Sequence, residues 1–196
     1  MGRSTTPPAM DIALISVFAA LIAAFSLTPA IPVGALGVPL TLQTLAVTLT
    51  GLVLGAWRGF LATLLYVVVG LAGLPVFAGG KAGLGVMVGP TAGYLISFPI
   101  AAAATGALAA FFLRRGFKSQ YLWLVVAGLI PALLIVTPLG IAGFVVNAHM
   151  DLGHAIAIAL AYVPGDIAKV FAAAGIAVAV HKAFPALMAA RMPATA

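Results

Sequence analysis

Two charged residues, Asp166 and Lys169, are the part of the sequence best suited to bind a ligand. They lie at the start of an apolar segment that runs to about residue 180. At a spacing of three they share one face of a helix, and an ionisable pair at a membrane helix end is costly enough to indicate function. The carboxylate could accept ligand N–H groups, and the ammonium could bind a ligand oxygen or carboxylate. The alternative is structural, with Asp166 capping a helix and Lys169 extending to the interface.

A glycine-rich stretch over residues 75–94 is a second candidate for ligand contact. Glycine lets the backbone approach a ligand closely and leaves its N–H and C=O groups accessible. The stretch is not a phosphate loop, because it lacks the Gly-Lys-Ser/Thr ending and follows no predicted strand. It could instead be a flexible turn, or its glycines at a spacing of four could pack against a helix. Those glycines are Gly85, Gly89 and Gly93.

The remaining polar residues offer few further sites. Gln43 is the only amide in the second predicted helix, and it could hydrogen-bond either a ligand or another helix. His149, Asp151 and His154 are poorly spaced for one helical face, and the chain has no cysteine, so we predict no metal site. Nothing in the sequence places a nucleophile near a base. We therefore predict neither enzymatic activity nor a cofactor.

The composition is that of an integral membrane protein. The chain has 196 residues, of which 64% are hydrophobic and 6% charged, whereas soluble domains are about 25% charged. This length allows about five or six spans with short loops and leaves no room for a soluble domain such as an ATPase. The long apolar segments lack the alternation of barrel strands, so they predict helices.

We predict an all-α fold with six membrane spans in a single domain. The bundle covers residues 11–184, between short tails at residues 1–10 and 185–196. A loop over residues 30–39 is expected to be irregular, residues 147–163 to form a short surface helix, and two prolines to kink the fifth span. The predicted spans are residues 11–27, 40–54, 60–74, 91–113, 121–146 and 166–184, and the prolines are Pro131 and Pro138.

The distribution of cations predicts the orientation of the bundle. With six spans both termini lie on one side, and the positive-inside rule makes that side cytoplasmic because most Lys and Arg residues fall there. Lys81 and Lys169 then lie outside, on the same side as Asp166. The cations on the cytoplasmic side are Arg3, Arg58, Arg114, Arg115, Lys118, Lys182 and Arg191.

Small residues form a stripe on the first predicted helix. Small residues at a spacing of four let two helices approach closely. The partner could be another helix of this chain or a helix of another subunit. The stripe consists of Ser16, Ala19, Ala20, Ala23 and Ala24.

Four short segments occur in order between residues 11 and 184. They are PLTLQTL at 39–45, GLAGLPVFAGG at 70–80, the run from GLG at 83–85 to GPTAGYL at 89–95, and VPGDIAK at 163–169. Together with the length and the span count, they resemble the BioY family, the biotin-binding S-components of energy-coupling-factor (ECF) vitamin transporters.

The resemblance implies a six-helix, multi-pass protein of a prokaryotic cell membrane that captures biotin from outside. It implies a transmembrane coupling subunit and two cytoplasmic ATPases as partners, so that ATP is used only by those subunits. The small-residue stripe resembles the Ala-x-x-x-Ala surface on which S-components dock. Both the Ala19/Ala23 frame and the Ala20/Ala24 frame fit that pattern.

The chemistry of biotin suggests roles for the candidate residues. Asp166 would accept hydrogen bonds from the ureido N–H groups, and Lys169 would pair with Asp166 and a ligand oxygen. Lys81 is a candidate for the ligand carboxylate, with further polar contacts from Gln43 and Tyr94. The reverse orientation, with Lys169 on the carboxylate, remains open. Apolar and backbone contacts are expected from Leu74, Phe77, Met87, Gly79, Gly80, Gly83 and Gly85.

Two other functions fit the same sequence. An S-component for riboflavin or thiamine would favour more aromatic side chains near the pocket mouth. A non-catalytic membrane assembly protein, with Asp166 as a simple cap, predicts no stabilisation by biotin.

Overall fold

Helices form nearly all of the described chain. The computed structural model describes residues 8–28, 31–33, 38–116 and 119–185, and both predicted tails lie largely outside these ranges. The helices are α1 (Pro8–Ser26), α2 (Gln43–Leu54), α3 (Ala56–Leu71), α4 (Ala92–Arg114), α5 (Gln120–Pro131), α6 (Thr137–Asn147) and α7 (Leu152–Ala183). Short 3-10 turns occur at Ala78–Gly80 and Leu84–Val88, and a π-helical turn at Ala132–Val136 joins α5 to α6.

Helix α2 lies at the centre of the bundle. It packs against α1, α3, α4, α5 and α7, and each of its residues except Thr44 is buried. Its 12 residues span about 18 Å, less than the hydrocarbon thickness of a bilayer. Protein surrounds it on all sides, so its length need not match the membrane.

Several helices have the length and composition of membrane spans. Helices α1, α4, α7 and the run from α5 through α6 are long and apolar enough to cross a bilayer, whereas α2 and α3 are shorter apolar helices. The chain is therefore a multi-pass membrane protein. The count of six spans and the cytoplasmic location of the termini remain predictions.

The largest difference from the sequence prediction is in α7. The sequence predicts a surface helix over residues 147–163 and a new span from residue 166, but Leu152–Ala183 is one helix. Pro164 lies inside it. Although proline removes an intrahelical hydrogen bond, membrane helices tolerate it because neighbouring groups satisfy the freed carbonyl. Asp166 therefore lies mid-helix, and its predicted position at a helix end is wrong.

The residue that caps α7 is Asp151. Its carboxylate accepts a hydrogen bond from the backbone N–H of His154 at 3.1 Å and also contacts the His154 ring. The structural alternative for Asp166, a helix cap, is thus excluded. Within the described ranges, no three His, Asp or Glu side chains lie close enough together to hold a metal ion.

Other element boundaries differ less from the predictions. Ile31–Val33 and Val38–Leu40 pair as antiparallel strands β1 and β2 within the stretch predicted to be irregular. Helix α3 begins at Ala56, because a single residue, Gly55 with φ 84°, makes the turn from α2. Of the two prolines predicted to kink the fifth span, Pro131 directly precedes the π-helical turn, and Pro138 lies in the first turn of α6.

Most Lys and Arg residues of the described chain lie at one end of the bundle. Arg58, in the first turn of α3, pairs with Asp11 in the first turn of α1 at 2.7 Å. Arg114 and Lys182 lie in the last turns of α4 and α7. These are the helix ends that the charge distribution assigns to the cytoplasm. Three of the predicted cytoplasmic cations lie outside the described residues: Arg3, Lys118 and Arg191.

Candidate ligand-binding site

A pocket opens at the opposite end of the bundle, where α2 and α4 begin. Its empty volume is about 690 Å³, including the open mouth. The walls come from the start of α2, the loop after α3, the first turns of α4 and the middle of α7. The lining residues are Thr41, Gln43, Thr44, Phe77, Ala78, Lys81, Val86, Thr91, Tyr94, Leu95, Phe98, Tyr162, Asp166 and Lys169.

Asp166 and Lys169 form the ionic centre of the pocket. The Lys169 Nζ lies 3.0 Å from the Asp166 Oδ1, which confirms the predicted shared face. The Asp166 side chain is only 17% exposed, and the Lys169 side chain only 11%. A largely desolvated ion pair needs further hydrogen bonds to be stable, and here Thr44 supplies them.

Thr44 links α2 to this pair. Its hydroxyl donates to the Asp166 Oδ1 at 2.9 Å and accepts from the Lys169 Nζ at 3.2 Å. Thr44 stands next to Gln43 in the second predicted helix, but nothing in the sequence relates it to residues more than 120 positions away. It is also the one residue of α2 that is not buried, as expected for a side chain that faces a cavity.

Gln43 also lines the pocket, and its amide is held by the chain itself. The Gln43 Nε2 donates to the Tyr66 hydroxyl at 2.7 Å, and that hydroxyl donates to the Val76 carbonyl at 3.2 Å. The hydroxyl of Ser26 donates to the same carbonyl. The interhelical role left open for Gln43 is therefore confirmed, while its contact with a ligand remains a prediction.

Replacing Tyr66 by phenylalanine should lower the free energy of unfolding by about 1–3 kcal/mol. The change removes a hydroxyl that is bonded to both Gln43 and Val76 in a buried position, and unsatisfied buried polar groups cost about that amount. Thermal unfolding in detergent measures the loss. Tyr121→Phe is the matched control, because the Tyr121 hydroxyl makes one exposed bond at 3.3 Å. Equal losses in the two variants would contradict the prediction.

Aromatic rings form the apolar walls. Phe77 is 2% exposed and meets Tyr66 edge-on at 5.6 Å between ring centroids. The Tyr94 ring rests against Gly140, where a Cβ atom would lie 2.3 Å from its Cζ. These contacts fix both rings at the pocket through close packing with other parts of the chain.

Lys81 lies at the pocket mouth and is exposed. Its carbonyl accepts from the Phe77 N–H at 3.0 Å, which closes the short loop between the two residues. Inside that loop Gly79 and Gly80 have φ values of 72° and 71°, a backbone conformation that favours glycine. Lys81 thus lines the pocket, and its contact with the ligand carboxylate remains a prediction.

Several predicted contacts are not brought into the lining. Leu74 is 55% exposed and faces away from the core, while Met87 packs partly against the buried cluster that contains Phe77. The predicted glycines shape the loop but do not line the pocket, whereas their neighbours Ala78 and Val86 do. The predicted residues outside the lining are Leu74, Gly79, Gly80, Gly83, Gly85 and Met87.

A helical pattern could have identified some of the missed residues. Thr91, Tyr94, Leu95 and Phe98 lie at spacings of three, four and seven, which is one face of α4. Extending the prediction from Tyr94 along this face would have found the others. Tyr162 lies one helical turn before Asp166 in α7 and could have been found in the same way. No comparable signal exists for Ala78 or Val86, which lie in a loop.

The small-residue stripe on α1 divides into two faces. Ala19 is 7% exposed and Ala23 is half-buried, and both belong to the core cluster around α1, α2 and α4. Ser16, Ala20 and Ala24 are exposed. Of the two frames left open by the sequence, only Ala20/Ala24 is at the surface of the described chain.

Comparison with known proteins agrees with this architecture. A sequence model of the BioY family matches residues 2–186. The biotin transporter BioY of Rhodobacter capsulatus is 42% identical over 190 residues, covering 92% of this chain and 98% of that protein. The biotin transporter BioY of Rhizobium etli is 35% identical over 181 residues, covering 91% of this chain and 97% of that protein.

A solved structure shares the fold. It is the S-component for biotin from an ECF-type ABC transporter, with a TM-score of 0.81 that covers 91% of this chain and 95% of the other. At 23% identity, this likeness concerns the fold alone. The family match extends over nearly the whole chain, including the pocket at the starts of α2 and α4 and the middle of α7. The chain is a member of the BioY family.

Proposed function

We propose that this protein is the membrane subunit that binds biotin for uptake. Membership in the BioY family and the names of its relatives support this function. The observation that carries it is the Asp166–Lys169 pair, which lies with Thr44 in a pocket with largely apolar walls.

The pocket offers groups that complement each part of biotin. The ureido head has two N–H donors and a carbonyl, which match a carboxylate acceptor and an ammonium donor. The fused rings and the valerate tail need apolar walls, which Phe77, Tyr94 and Phe98 provide. Lys81 at the mouth supplies a second cation for the ligand carboxylate. In the reverse orientation, Lys169 would bind the carboxylate instead.

A panel of vitamins tests the proposed ligand. Biotin at about 100 times its Kd should stabilise the purified protein by about 2.7 kcal/mol, and riboflavin or thiamine at the same concentrations should not stabilise it. Thermal unfolding in detergent, followed by calorimetric titration, gives the measurement. Stabilisation by riboflavin or thiamine instead would indicate an S-component for another vitamin. No stabilisation by any of the three would favour the assembly protein.

We further propose that the protein acts with ECF partners in a prokaryotic cell membrane. As the resemblance to S-components of ECF-type transporters implies, the energy for release would come from two cytoplasmic ATPases through a transmembrane coupling subunit. The exposed face of α1 with Ser16, Ala20 and Ala24 would dock that subunit, because small side chains let another helix approach closely.

Replacing Ala20 by tryptophan should block copurification with the coupling subunit and leave biotin affinity within about twofold. The bulky side chain would separate the helices that small residues allow to meet, and α1 contributes no residue to the pocket lining. Ala172→Trp on α7 is the matched control, because Ala172 is also exposed on a long helix. Pull-down of coexpressed subunits gives the readout. Recovery of the complex at the wild-type level with Ala20→Trp would exclude this face.

A further inference from the structure

The end of α6 is tied to the glycine-rich loop through one side chain. Asn147, the last residue of α6, donates two hydrogen bonds from its Nδ2, to the carbonyls of Met87 and Gly89, each at 3.0 Å. These carbonyls lie at the end of the 3-10 turn Leu84–Val88 and directly after it. A single amide therefore bridges residues about 60 positions apart in the sequence.

The tethered turn lies against the pocket. Val86, in the middle of Leu84–Val88, is one of the lining residues. The loop is anchored at its start as well, where the Gly83 N–H donates to the Gly70 carbonyl at 2.8 Å. Asn147 thus holds the side of the loop that leads into α4, through the residue next to Val86.

Few other contacts hold this turn in place. Its remaining hydrogen bonds within the described chain are internal, from Val86 to Gly83 and from Gly89 to Val86. Leu84 and Val88 are 73% and 75% exposed, so the packing of the turn comes from Val86 and Met87, which are partly buried against the cluster that contains Phe77. Segments with few buried contacts open locally at a low free-energy cost. Loss of the Asn147 bonds should therefore release the turn without unfolding the bundle.

We propose that Asn147 is a positioning residue that latches the turn Leu84–Val88 at the pocket and so sets the rate of ligand exchange. The inference rests on the proposed function, in which this pocket binds biotin. Both bonds of the latch join groups of the protein itself, so it restricts entry as well as exit. Its loss accelerates both association and dissociation, in contrast to the loss of a residue that binds the ligand directly.

Two substitutions of Asn147 test the latch. Asn147→Ala removes both hydrogen bonds. Asn147→Asp keeps the shape of the side chain but replaces the donor by a carboxylate oxygen, which cannot donate to the two carbonyls. Both variants should raise the association and dissociation rates of biotin by roughly tenfold, with the Kd within about threefold of wild type. Val146→Ala is the control, because the neighbouring Val146 is 66% exposed and bonds to no loop residue. Rapid-mixing binding kinetics provides the rates.

A second measurement tests the latch independently of biotin binding. Amide hydrogen exchange over residues 83–89 in the ligand-free protein should accelerate in both Asn147 variants, while exchange in α2 and α7 stays unchanged. If wild-type protein does not bind biotin, the proposed function fails, but faster exchange over 83–89 still supports the latch. Unchanged exchange in this segment would overturn the proposal. It would also be overturned if dissociation stayed within twofold of wild type, or if dissociation alone accelerated.

Discussion

Asp166→Asn should weaken biotin binding by about 10- to 150-fold. A hydrogen bond to a charged acceptor contributes about 1.5–3 kcal/mol, which corresponds to this range of affinity. The substitution removes the charge of Asp166 and keeps most of its shape. Because the side chain is 17% exposed, water compensates little for the lost charge. Isothermal titration with biotin measures the change.

The same substitution also acts on the protein itself. Asp166 Oδ1 lies 3.0 Å from the Lys169 Nζ, and removal of one partner from a largely buried pair leaves an uncompensated charge. We therefore expect Asp166→Asn to lower the melting temperature as well. Combining it with Lys169→Met removes the unpaired cation, so the double variant should recover stability but not biotin affinity. This separates the loss of a ligand contact from a loss of fold.

Asp151→Asn is the control for this experiment. Asp151 lies at the start of the same helix, and its carboxylate is 64% exposed and outside the pocket. The chemical change is identical, and biotin affinity should stay within about twofold of wild type, since no pocket contact is lost. Normal biotin binding by Asp166→Asn, or an equal loss in both variants, would contradict the role assigned to Asp166.

Local relations in the site could be predicted from the sequence, and long-range ones could not. Asp166 and Lys169 are three residues apart, so helical geometry alone brings them to one face. Thr44 joins them from 122 residues away, through the packing of α2 against α7, which no local spacing reveals. The hydrogen bond from Asn147 to the Met87 carbonyl likewise joins residues that are far apart in the sequence.

Proline and burial explain the main errors in the predicted elements. Pro164 is a strong local signal for a helix boundary, yet α7 continues through it because tertiary and membrane surroundings outweigh the local preference. On α1, small residues occupy neighbouring positions, so Ala19/Ala23 and Ala20/Ala24 are equivalent in the sequence. Only the packing of α1 against the bundle buries Ala19 and leaves Ala20 exposed.

The glycines at a spacing of four have different roles in the structure. Gly93, at the start of α4, lies where α4 crosses α6, and a Cβ atom there would stand 1.9 Å from the Leu139 carbonyl oxygen. Gly143 faces it from α6, where a Cβ atom would stand 2.9 Å from the Gly93 backbone nitrogen. Gly85 has open space within 4 Å of its Cβ position. At Gly89 a Cβ atom would meet only the Val86 carbonyl oxygen of the same loop, at 3.3 Å. The predicted close packing of helices is therefore confirmed for Gly93 alone of the three glycines.

Gly93→Ala should destabilise the protein by about 3 kcal/mol or more. Alanine favours a helix over glycine by about 0.5–1 kcal/mol, but the clash is with backbone atoms, which cannot rotate away. Overpacking of this kind costs about 1–3 kcal/mol and sometimes more, so the steric term exceeds the helix propensity. Separation of α4 from α6 also moves Tyr94 away from Gly140, so biotin affinity should fall. Thermal unfolding with and without biotin measures both effects.

Gly85→Ala makes the same chemical change without the clash. Its Cβ meets no neighbour and its φ lies outside the left-handed region, so stability should stay the same or rise by up to about 1 kcal/mol. This difference would show that Gly93→Ala destabilises the protein because α4 and α6 lie close together at Gly93, and not because any glycine is replaced. If Gly93→Ala unfolded at the same temperature as Gly85→Ala, α4 and α6 would not meet as closely as the structure places them.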